Sequence, residues 1–302
     1  MTRMSRMFTF ANRRPDFLIL GAQKSGTSAL EFFLSQHPRI RCAKRKEVGF
    51  FNRDKCYARG EEWYGRHFGR RWRSGLLFFE ATPEYLYYPF VAERIFRFDP
   101  RMKLIALLRD PVERAFSAWN MFRQMHNDPE MKEAAIRHFL ADANAEVQRA
   151  LVDLLRAPEF PDFCHCVERE LEAVEAGRSQ PLEPSFVRRG IYREQVERFY
   201  RFFPRDNLLI LESKELKTDR RACLNRVLQF LGLPEADWDR TNLEDQHARP
   251  YAAQMDEGAR KRLEVFFAPE NAGFYRLIGR DFGWGSGAPK PSSGQDEPVG
   301  CD

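Results

Sequence analysis

The 302-residue sequence predicts an α/β domain in which a parallel sheet is flanked by helices. Four short runs are almost entirely apolar, as in strands buried on both faces, and helical patterns alternate with them. Apolar residues make up 43% of the chain, which is enough for a full hydrophobic core. No run approaches the roughly 18–20 apolar residues that span a bilayer, so we expect no membrane-spanning helix.

The first two strands are each followed by a helical pattern. Residues 15–22 form an apolar run that ends at a glycine and an alanine, which predicts a buried strand. Apolar residues recur at helical spacing over 27–36, and Pro38 ends that helix. A second strand is predicted at 75–80 and a helix over about 89–98.

The third and fourth strands repeat this alternation. The run 103–108 predicts a strand that ends at Arg109, and Pro111 is typical of the first turn of the following helix. The run 207–211 predicts another strand, and the helix over about 220–231 is closed by a glycine and a proline. Because ligands bind at the carboxyl ends of parallel strands, polar residues that follow them are candidate site residues.

Composition divides the chain into one domain, an insertion and two tails. Residues 1–14 carry four arginines and no acid, which predicts a basic N-terminal tail. A single domain is predicted over 15–285, with a charged helical insertion over 123–185 that we expect on the acceptor side. The Gly-, Ser- and Pro-rich residues 286–302 predict a disordered tail.

Charge and cysteine content exclude several classes of protein. A net charge of +5 suits an anionic ligand, but no nucleic-acid-binding module is recognisable. The cysteines form no regular framework, and Cys164 and Cys166 are too close together for the usual zinc spacing. We therefore expect reduced thiols, a cytoplasmic protein and no metal site. The sequence gives no indication of oligomeric state.

A loop with the properties of a phosphate cradle joins the first strand to the first helix. It reads Gly21-Ala22-Gln23-Lys24-Ser25-Gly26-Thr27-Ser28. Small residues let several N–H groups turn inward, and the helix N-terminus adds partial positive charge. Lys24 adds a full charge, and Thr27 and Ser28 add hydroxyl groups. The loop differs from a Walker A sequence because Lys24 precedes Gly26, and an ordinary strand–helix turn is the alternative.

A second anion-binding segment follows the third strand. Arg109 stands at the carboxyl end of that strand, and Ser117 lies eight residues later, about two helical turns away. A guanidinium and a hydroxyl so placed could bind one phosphate. Arg114, by contrast, is interpreted as the partner of Asp110 in an i,i+4 ion pair at the start of the helix.

These segments resemble the two donor-binding segments of PAPS-dependent sulfotransferases, which bind the 5′-phosphosulfate and the 3′-phosphate of 3′-phosphoadenosine 5′-phosphosulfate. The closest branch is that of the heparan-sulfate-type enzymes and their bacterial relatives. The resemblance extends in order from residue 15 to residue 284. Its further segments are Lys46-Glu47-Val48-Gly49-Phe50-Phe51, Glu80-Ala81-Thr82-Pro83-Glu84-Tyr85-Leu86, Tyr192 to Leu211, and Phe274 to Trp284.

The resemblance implies a P-loop-like α/β fold and a transfer of the sulfonyl group from PAPS to a hydroxyl or amine, without a required metal. It assigns Lys24 to the leaving-group oxygen, with Ser25, Gly26, Thr27 and Ser28 completing the cradle. Glu47 matches the position of the catalytic base, and a solvated Lys-Glu pair at the surface is the alternative. A base that works near neutral pH needs a pKa raised by burial, and the cations at 44–46 oppose that rise.

Other assignments implied by the resemblance are less specific. Lys46 is expected to hold sulfonyl oxygens, and Arg249 to reach the donor phosphates from a late loop. Tyr192 matches a tyrosine that approaches the adenine, and a core position is the alternative. Some cytosolic members use histidine as the base, but no histidine here stands in a matching motif. The heparan-sulfate enzymes often have a lysine where this chain has Ala81, which bears on the choice of acceptor.

Two functions other than sulfonyl transfer are the alternatives. A small-molecule kinase that uses a nucleoside triphosphate needs a Walker A lysine and an acidic magnesium ligand at a strand end, whereas Lys24 is misplaced for a Walker A loop and the strands here end in Gly, Arg and Glu. A non-catalytic nucleotide-binding protein would not need both Lys24 and Glu47. The acceptor is predicted only as a carbohydrate or another small molecule, by analogy with the family.

Overall fold

The computed structural model describes residues 14–69, 75–140, 145–177, 184–238, 242–244 and 254–285. These residues contain one five-stranded sheet in the order β2-β3-β1-β4-β5, and every neighbouring pair is parallel. The strands are β1 Phe17–Gly21, β2 Ile40–Cys42, β3 Leu77–Ala81, β4 Lys103–Leu108 and β5 Leu208–Glu212. The predicted fold class, a parallel α/β sheet flanked by helices, is confirmed.

Helices cover both faces of the sheet and extend beyond it. Those in the described residues are α1 Thr27–Ser35, α2 Asp54–Tyr57, α3 Gly60–Gly65, α4 Val91–Phe98, α5 Pro111–Asn127, α6 Pro129–Leu140, α7 Ala145–Arg156, α8 Phe163–Glu175, α9 Tyr192–Tyr200, α10 Ser213–Thr218, α11 Arg220–Leu231 and α12 Glu257–Ile278. Short 3₁₀ turns lie at Arg188–Gly190 and Arg205–Asn207. Helices α6, α7 and α8 lie within the predicted insertion at 123–185.

Alternation along the strands produces two separate hydrophobic layers. Leu18 and Leu20 point into a layer that contains α4 and α9, whereas Phe17 and Ile19 point into a layer that contains α1 and α11. A third apolar cluster joins α5 to α7, α8 and α12. Burial on both faces explains why the strands read as continuous apolar runs rather than alternating patterns.

Several elements were not predicted, among them helices α2, α3, α9 and α10, and for strand β2 and helix α12 the reasons are local. Strand β2 has only three residues, and its middle residue Arg41 is exposed, so no apolar run marks it. Helix α12 contains Pro269 in its interior, a residue that usually ends a helix. Apart from Arg14, the predicted tails at 1–14 and 286–302 lie outside the described residues. Among the helices that are described, none is long and apolar enough to cross a bilayer.

The predicted ion pair between Asp110 and Arg114 is wrong. Asp110 is the N-cap of α5, and its carboxylate accepts hydrogen bonds from Val112 N at 2.8 Å and Glu113 N at 3.2 Å. Arg114 is fully buried and donates to the carbonyl oxygen of Phe186 instead. The cap satisfies the first N–H groups of the helix, and Arg114 attaches α5 to the segment that leads into α9.

Gly190 allows this segment to pack closely against the start of α5. A Cβ atom at this position would lie 2.7 Å from a ring carbon of Phe267 and 2.8 Å from Cβ of Pro111. Pro111 follows directly after Arg109 and Asp110, so the packing at Gly190 also positions the second predicted anion site.

We therefore expect Gly190→Ala to lower the free energy of unfolding by about 1–3 kcal/mol, because the new methyl group overpacks this contact. Urea unfolding of the variant measures the loss. In the Gly190→Ala/Phe267→Leu double variant the smaller side chain should recover part of it. Strict additivity of the two changes would contradict a steric cause.

Candidate active site

The donor loop leaves β1 in a conformation that exposes backbone N–H groups. Lys24 has φ 69° and Gly26 has φ 99°, both in the left-handed region. Gly26 is the N-cap of α1 and has no side chain that could accept from the first-turn N–H groups. An external anion can therefore accept these hydrogen bonds at the positive end of the helix dipole.

Ser25 provides an independent sign that this loop binds a ligand. Its side chain is 1% exposed, and Oγ has no partner in hydrogen-bond geometry among the described residues. The Tyr192 hydroxyl lies nearby and donates to the carbonyl oxygen of Arg109 at 2.8 Å, but its oxygen is not in hydrogen-bond geometry with Ser25 Oγ. Since buried hydroxyl groups are normally satisfied, a phosphosulfate oxygen is a fitting partner for Ser25.

Arg109 connects the end of β4 with the donor loop. Its Nη1 donates to the carbonyl oxygen of Lys24 and its Nη2 to Oε2 of Glu113, both at 3.4 Å. Glu113 also holds Arg260 of α12 at 2.9 Å. Because these two bonds are long, a phosphate would offer the guanidinium a stronger, charge-assisted partner than either of them. The structure thus brings Lys24 and Arg109 together, as the sequence predicted.

Tyr192 lies in the core beneath this site. It is 2% exposed and packs against Phe274 and Trp284, with ring centroids 6.0 Å and 5.5 Å away. Burial raises the pKa of its hydroxyl to about 12, so the group stays neutral and can donate to Arg109 O. This arrangement agrees with the core alternative, and a contact with adenine stays a prediction.

The other residues that are predicted to bind the sulfonyl donor differ in how deeply they are buried. Thr27 begins α1 and is buried, and Ser28 is half-buried beside it. Ser117 is buried on α5, where the sequence placed it. Arg249 lies outside the described residues, so its predicted contact with the donor phosphates stays a prediction.

A hydrogen bond joins the predicted catalytic segment to the donor loop. Lys46 Nζ donates to Ser28 Oγ at 2.6 Å, which brings residues 46 and 47 to the mouth of the cradle. Glu47 has φ 52°, a left-handed conformation that is uncommon for a residue with a side chain. The two segments are 18 residues apart in the sequence, and the fold makes them neighbours.

The environment of Glu47 favours its protonated form more than water does. Partial burial of the carboxyl group raises its pKa, Lys46 and Arg53 lower it, and Glu84 raises it further. The net rise agrees with the expectation for a base, as does the opposing effect of Lys46. Much of the residue remains exposed at the mouth of the site, so solvent screens these charges.

A buried carboxylate at the end of β3 is the main feature that the sequence analysis missed. Glu80 is 1% exposed and accepts hydrogen bonds from three side-chain hydroxyls and one backbone N–H. The backbone group belongs to Val48, next to Glu47. The available signal was an acidic residue at the end of an apolar strand, where ligands or their supporting residues usually lie.

One of the described histidines also approaches this region. His138 of α6 lies with Nε2 3.0 Å from Nη2 of Arg53, the residue whose charge acts on Glu47. His37, His67 and His126 make contacts elsewhere, with Trp238, Trp63 and the carbonyl oxygen of Ala157 respectively. Glu47 is the candidate base that directly follows Lys46, whose amino group donates to Ser28 of the donor loop.

Comparison with known proteins shows to which family this chain belongs. The sequence model of the sulfotransferase domain matches residues 14–258, which is most of the chain. The chain belongs to the sulfotransferase family. It is therefore an enzyme of sulfonyl transfer that uses PAPS as the family does, and the kinase alternative is not supported.

Its relatives among characterised proteins include heparan sulfate enzymes. Human heparan sulfate glucosamine 3-O-sulfotransferase 6 is 28% identical, over 90% of this chain and 74% of its own length. Human bifunctional heparan sulfate N-deacetylase/N-sulfotransferase 3 is 30% identical over 83% of this chain and 26% of its own length. The membrane-associated sulfotransferase kil1 of Dictyostelium discoideum is 27% identical over 89% of this chain and 66% of its own length.

A solved structure agrees with this assignment. The sulfotransferase from Alicyclobacillus acidocaldarius superposes with a TM-score of 0.64 and 27% sequence identity. The match covers 90% of this chain and 99% of that one. The predicted resemblance to heparan-sulfate-type sulfotransferases and bacterial relatives is confirmed.

The donor site of this sulfotransferase can be tested with PAP, the desulfonated donor product. We expect Lys24→Ala and Arg109→Ala each to weaken PAP binding by roughly 10- to 100-fold, because each removes a charge-assisted bond to a phosphate. Calorimetric titration in EDTA measures the affinity. Arg101→Ala is the matched control, since that arginine is 91% exposed and pairs only loosely with Asp99. Equal loss in all three variants would contradict a specific site.

Proposed function

We propose that this sulfotransferase transfers the sulfonyl group of PAPS to a hydroxyl or amine of a carbohydrate acceptor, with Glu47 as general base and without a metal ion. The observation that supports this most directly is the 2.6 Å hydrogen bond between Lys46 Nζ and Ser28 Oγ. It brings the base segment to the donor cradle, where an acceptor oxygen could reach the transferring group in line.

The donor side of the reaction is assigned to the loop after β1 and to the end of β4. Lys24 and the first-turn N–H groups of α1 would hold the phosphosulfate and the charge that develops on the leaving oxygen. Ser25 Oγ, otherwise unsatisfied, would donate to the same group. Arg109 and Ser117 would bind the 3′-phosphate. These residues suit the donor because each adds a cation, a hydroxyl or an N–H group and none adds a carboxylate.

The acceptor side is assigned to Glu47 and its neighbours. The ionised carboxylate would accept the acceptor proton as the oxygen or nitrogen attacks sulfur, and the leaving PAP would depart on the opposite side. Its raised pKa makes Glu47 a stronger base than an ordinary glutamate. Glu84 contributes to that rise from the segment after β3.

Lys46 is proposed to supply the cation that the heparan-sulfate-type enzymes often carry at the position of Ala81. Ala81 is buried in the apolar layer with Ile19 and Leu30, so its side chain provides no charge at the site. Lys46 reaches Ser28 and also acts on Glu31 and Glu47. A lysine in this place can balance the charge on the equatorial sulfonyl oxygens.

A carbohydrate is the proposed acceptor class because the relatives are named for heparan sulfate glucosamine. The absence of a lysine at position 81 favours an acceptor that is less anionic than heparan sulfate. A cytoplasmic location is proposed from the cysteines, of which the five described ones are free thiols.

We expect Glu47→Gln to lower kcat by about 10²–10⁴-fold while leaving PAP affinity within a factor of about three, because only proton transfer is removed. The wild-type rate should fall as pH decreases through the raised pKa of Glu47, since the base must be ionised. Transfer of radiolabelled sulfonyl groups, measured across pH, checks both effects. Glu61→Gln on α3, which changes an exposed glutamate, is the control.

The acceptor class is tested by offering PAPS with unsulfated glucosamine oligosaccharides, heparan sulfate oligosaccharides and p-nitrophenol in EDTA. Greatest turnover of the unsulfated oligosaccharides supports the proposal. Preference for p-nitrophenol would exclude a carbohydrate acceptor, and loss of all turnover in EDTA that magnesium restores would exclude the metal-free route.

A further inference from the structure

The carboxylate of Glu80 is a centre of hydrogen bonding at the end of β3. Oε1 accepts from the hydroxyls of Tyr64 at 2.5 Å and Tyr85 at 2.6 Å. Oε2 accepts from Thr82 Oγ1 at 2.9 Å and from Val48 N at 3.2 Å. All four donors are buried with it, so none of these bonds competes with bulk water.

Two of the three hydroxyls that donate to Glu80 also accept from the backbone that follows Glu47. Thr82 Oγ1 accepts from Gly49 N at 3.4 Å. The hydroxyl of Tyr85 accepts from Phe50 N at 2.9 Å and from Phe51 N at 3.4 Å. Together with the direct bond from Val48, four consecutive backbone N–H groups therefore end on one carboxylate, directly or through one hydroxyl group.

From this arrangement we infer that Glu80, acting through Tyr85 and Thr82, is a positioning residue that fixes the backbone on which Glu47 stands. This inference rests on the proposed role of Glu47 as base. Glu80 itself is too deeply buried to touch an acceptor, and its hydrogen-bonding capacity is used within the protein. Its effect on the reaction reaches Glu47 through residues 48–51.

The chemistry of a carboxylate suits this task better than that of an amide. An ionised carboxylate is acceptor-only and can take four donors, whereas a glutamine has one acceptor oxygen and two N–H donors of its own. Burial raises the pKa of Glu80, and its hydrogen bonds to Tyr64, Tyr85, Thr82 and Val48 N oppose that rise. The donors orient the carboxylate, and the carboxylate orients the hydroxyl lone pairs of Tyr85 and Thr82 toward the loop.

The left-handed conformation of Glu47 explains why its backbone needs this support. A residue with a side chain at φ 52° persists where surrounding contacts hold it, because the conformation is unfavourable for an isolated chain. The hydrogen bonds from residues 48–51 begin directly after Glu47. Without them the backbone can relax, and the carboxylate moves relative to the donor cradle.

Two tyrosines provide a matched pair for testing the inference. Tyr64 and Tyr85 are both fully buried, and each donates one short bond to the same oxygen of Glu80. Only the hydroxyl of Tyr85 also accepts from the loop N–H groups. Replacing each with phenylalanine removes one hydroxyl and one bond to Glu80, but only Tyr85→Phe releases the loop directly.

The experiment measures hydrogen exchange of the amides at 48–51 and turnover of the best oligosaccharide from the acceptor screen. We expect Tyr85→Phe to accelerate exchange and to lower kcat by roughly 10- to 100-fold, with PAP affinity and acceptor KM little changed, because the base is misplaced. Tyr64→Phe should stay within about threefold of wild type in both readouts. Glu80→Gln should resemble Tyr85→Phe if it folds.

Equal exchange and equal kcat in the two phenylalanine variants would overturn the inference, since Tyr85 would then act only as a core residue. A parallel loss of kcat and PAP affinity in Tyr85→Phe would also overturn it, because that pattern indicates general damage. Failure of the proposed function is separate: Glu47→Gln would then keep the kcat of the wild-type protein. Hydrogen exchange at 48–51 would still compare the two variants in that case.

Discussion

The close backbone approach of Gly21 to Pro83 is the contact on which the site depends. A Cβ atom on Gly21 would lie 2.5 Å from the carbonyl oxygen of Pro83. Hydrogen bonds from Thr82 N to Ile19 O and from Leu86 N to Leu20 O hold the two segments together along the same stretch. The donor loop after β1 and the segment that begins at Glu80 of β3 consequently form one unit at the carboxyl ends of these two neighbouring strands.

Because β1 lies in the middle of the sheet, this unit also contacts the end of β4, the neighbour of β1 on the side away from β3. Ala22 N donates to the carbonyl oxygen of Leu107, near the end of β4, just before Arg109. Three loops from three adjacent strands therefore meet around Lys24, although their residues are far apart in the sequence. Each strand end contributes a different group: N–H donors after β1, the supporting carboxylate of Glu80 near the end of β3 and a guanidinium after β4.

The sequence predicted what depends on local pattern and could not predict what depends on packing. Apolar runs indicated four of the five strands, and the Lys24 loop was recognisable because small and cationic residues followed one of them. The role of Glu80 was invisible because its partners Tyr64 and Tyr85 appear in the sequence as ordinary aromatic core residues. Arg114 was misassigned because helical spacing cannot reveal that Asp110 caps the backbone instead.

Glu113 affects the charge balance of the donor site, both when the site is empty and when it is filled. It contacts Arg109 at 3.4 Å and Arg260 at 2.9 Å, so it is a shared counter-ion for two arginines on different helices or strand ends. If Arg109 turned to a phosphate, as proposed above, Glu113 would keep Arg260 and no carboxylate would be left isolated. Ligand entry would then be an exchange of ionic partners, and the energetic penalty of uncovering a lone charge would be avoided.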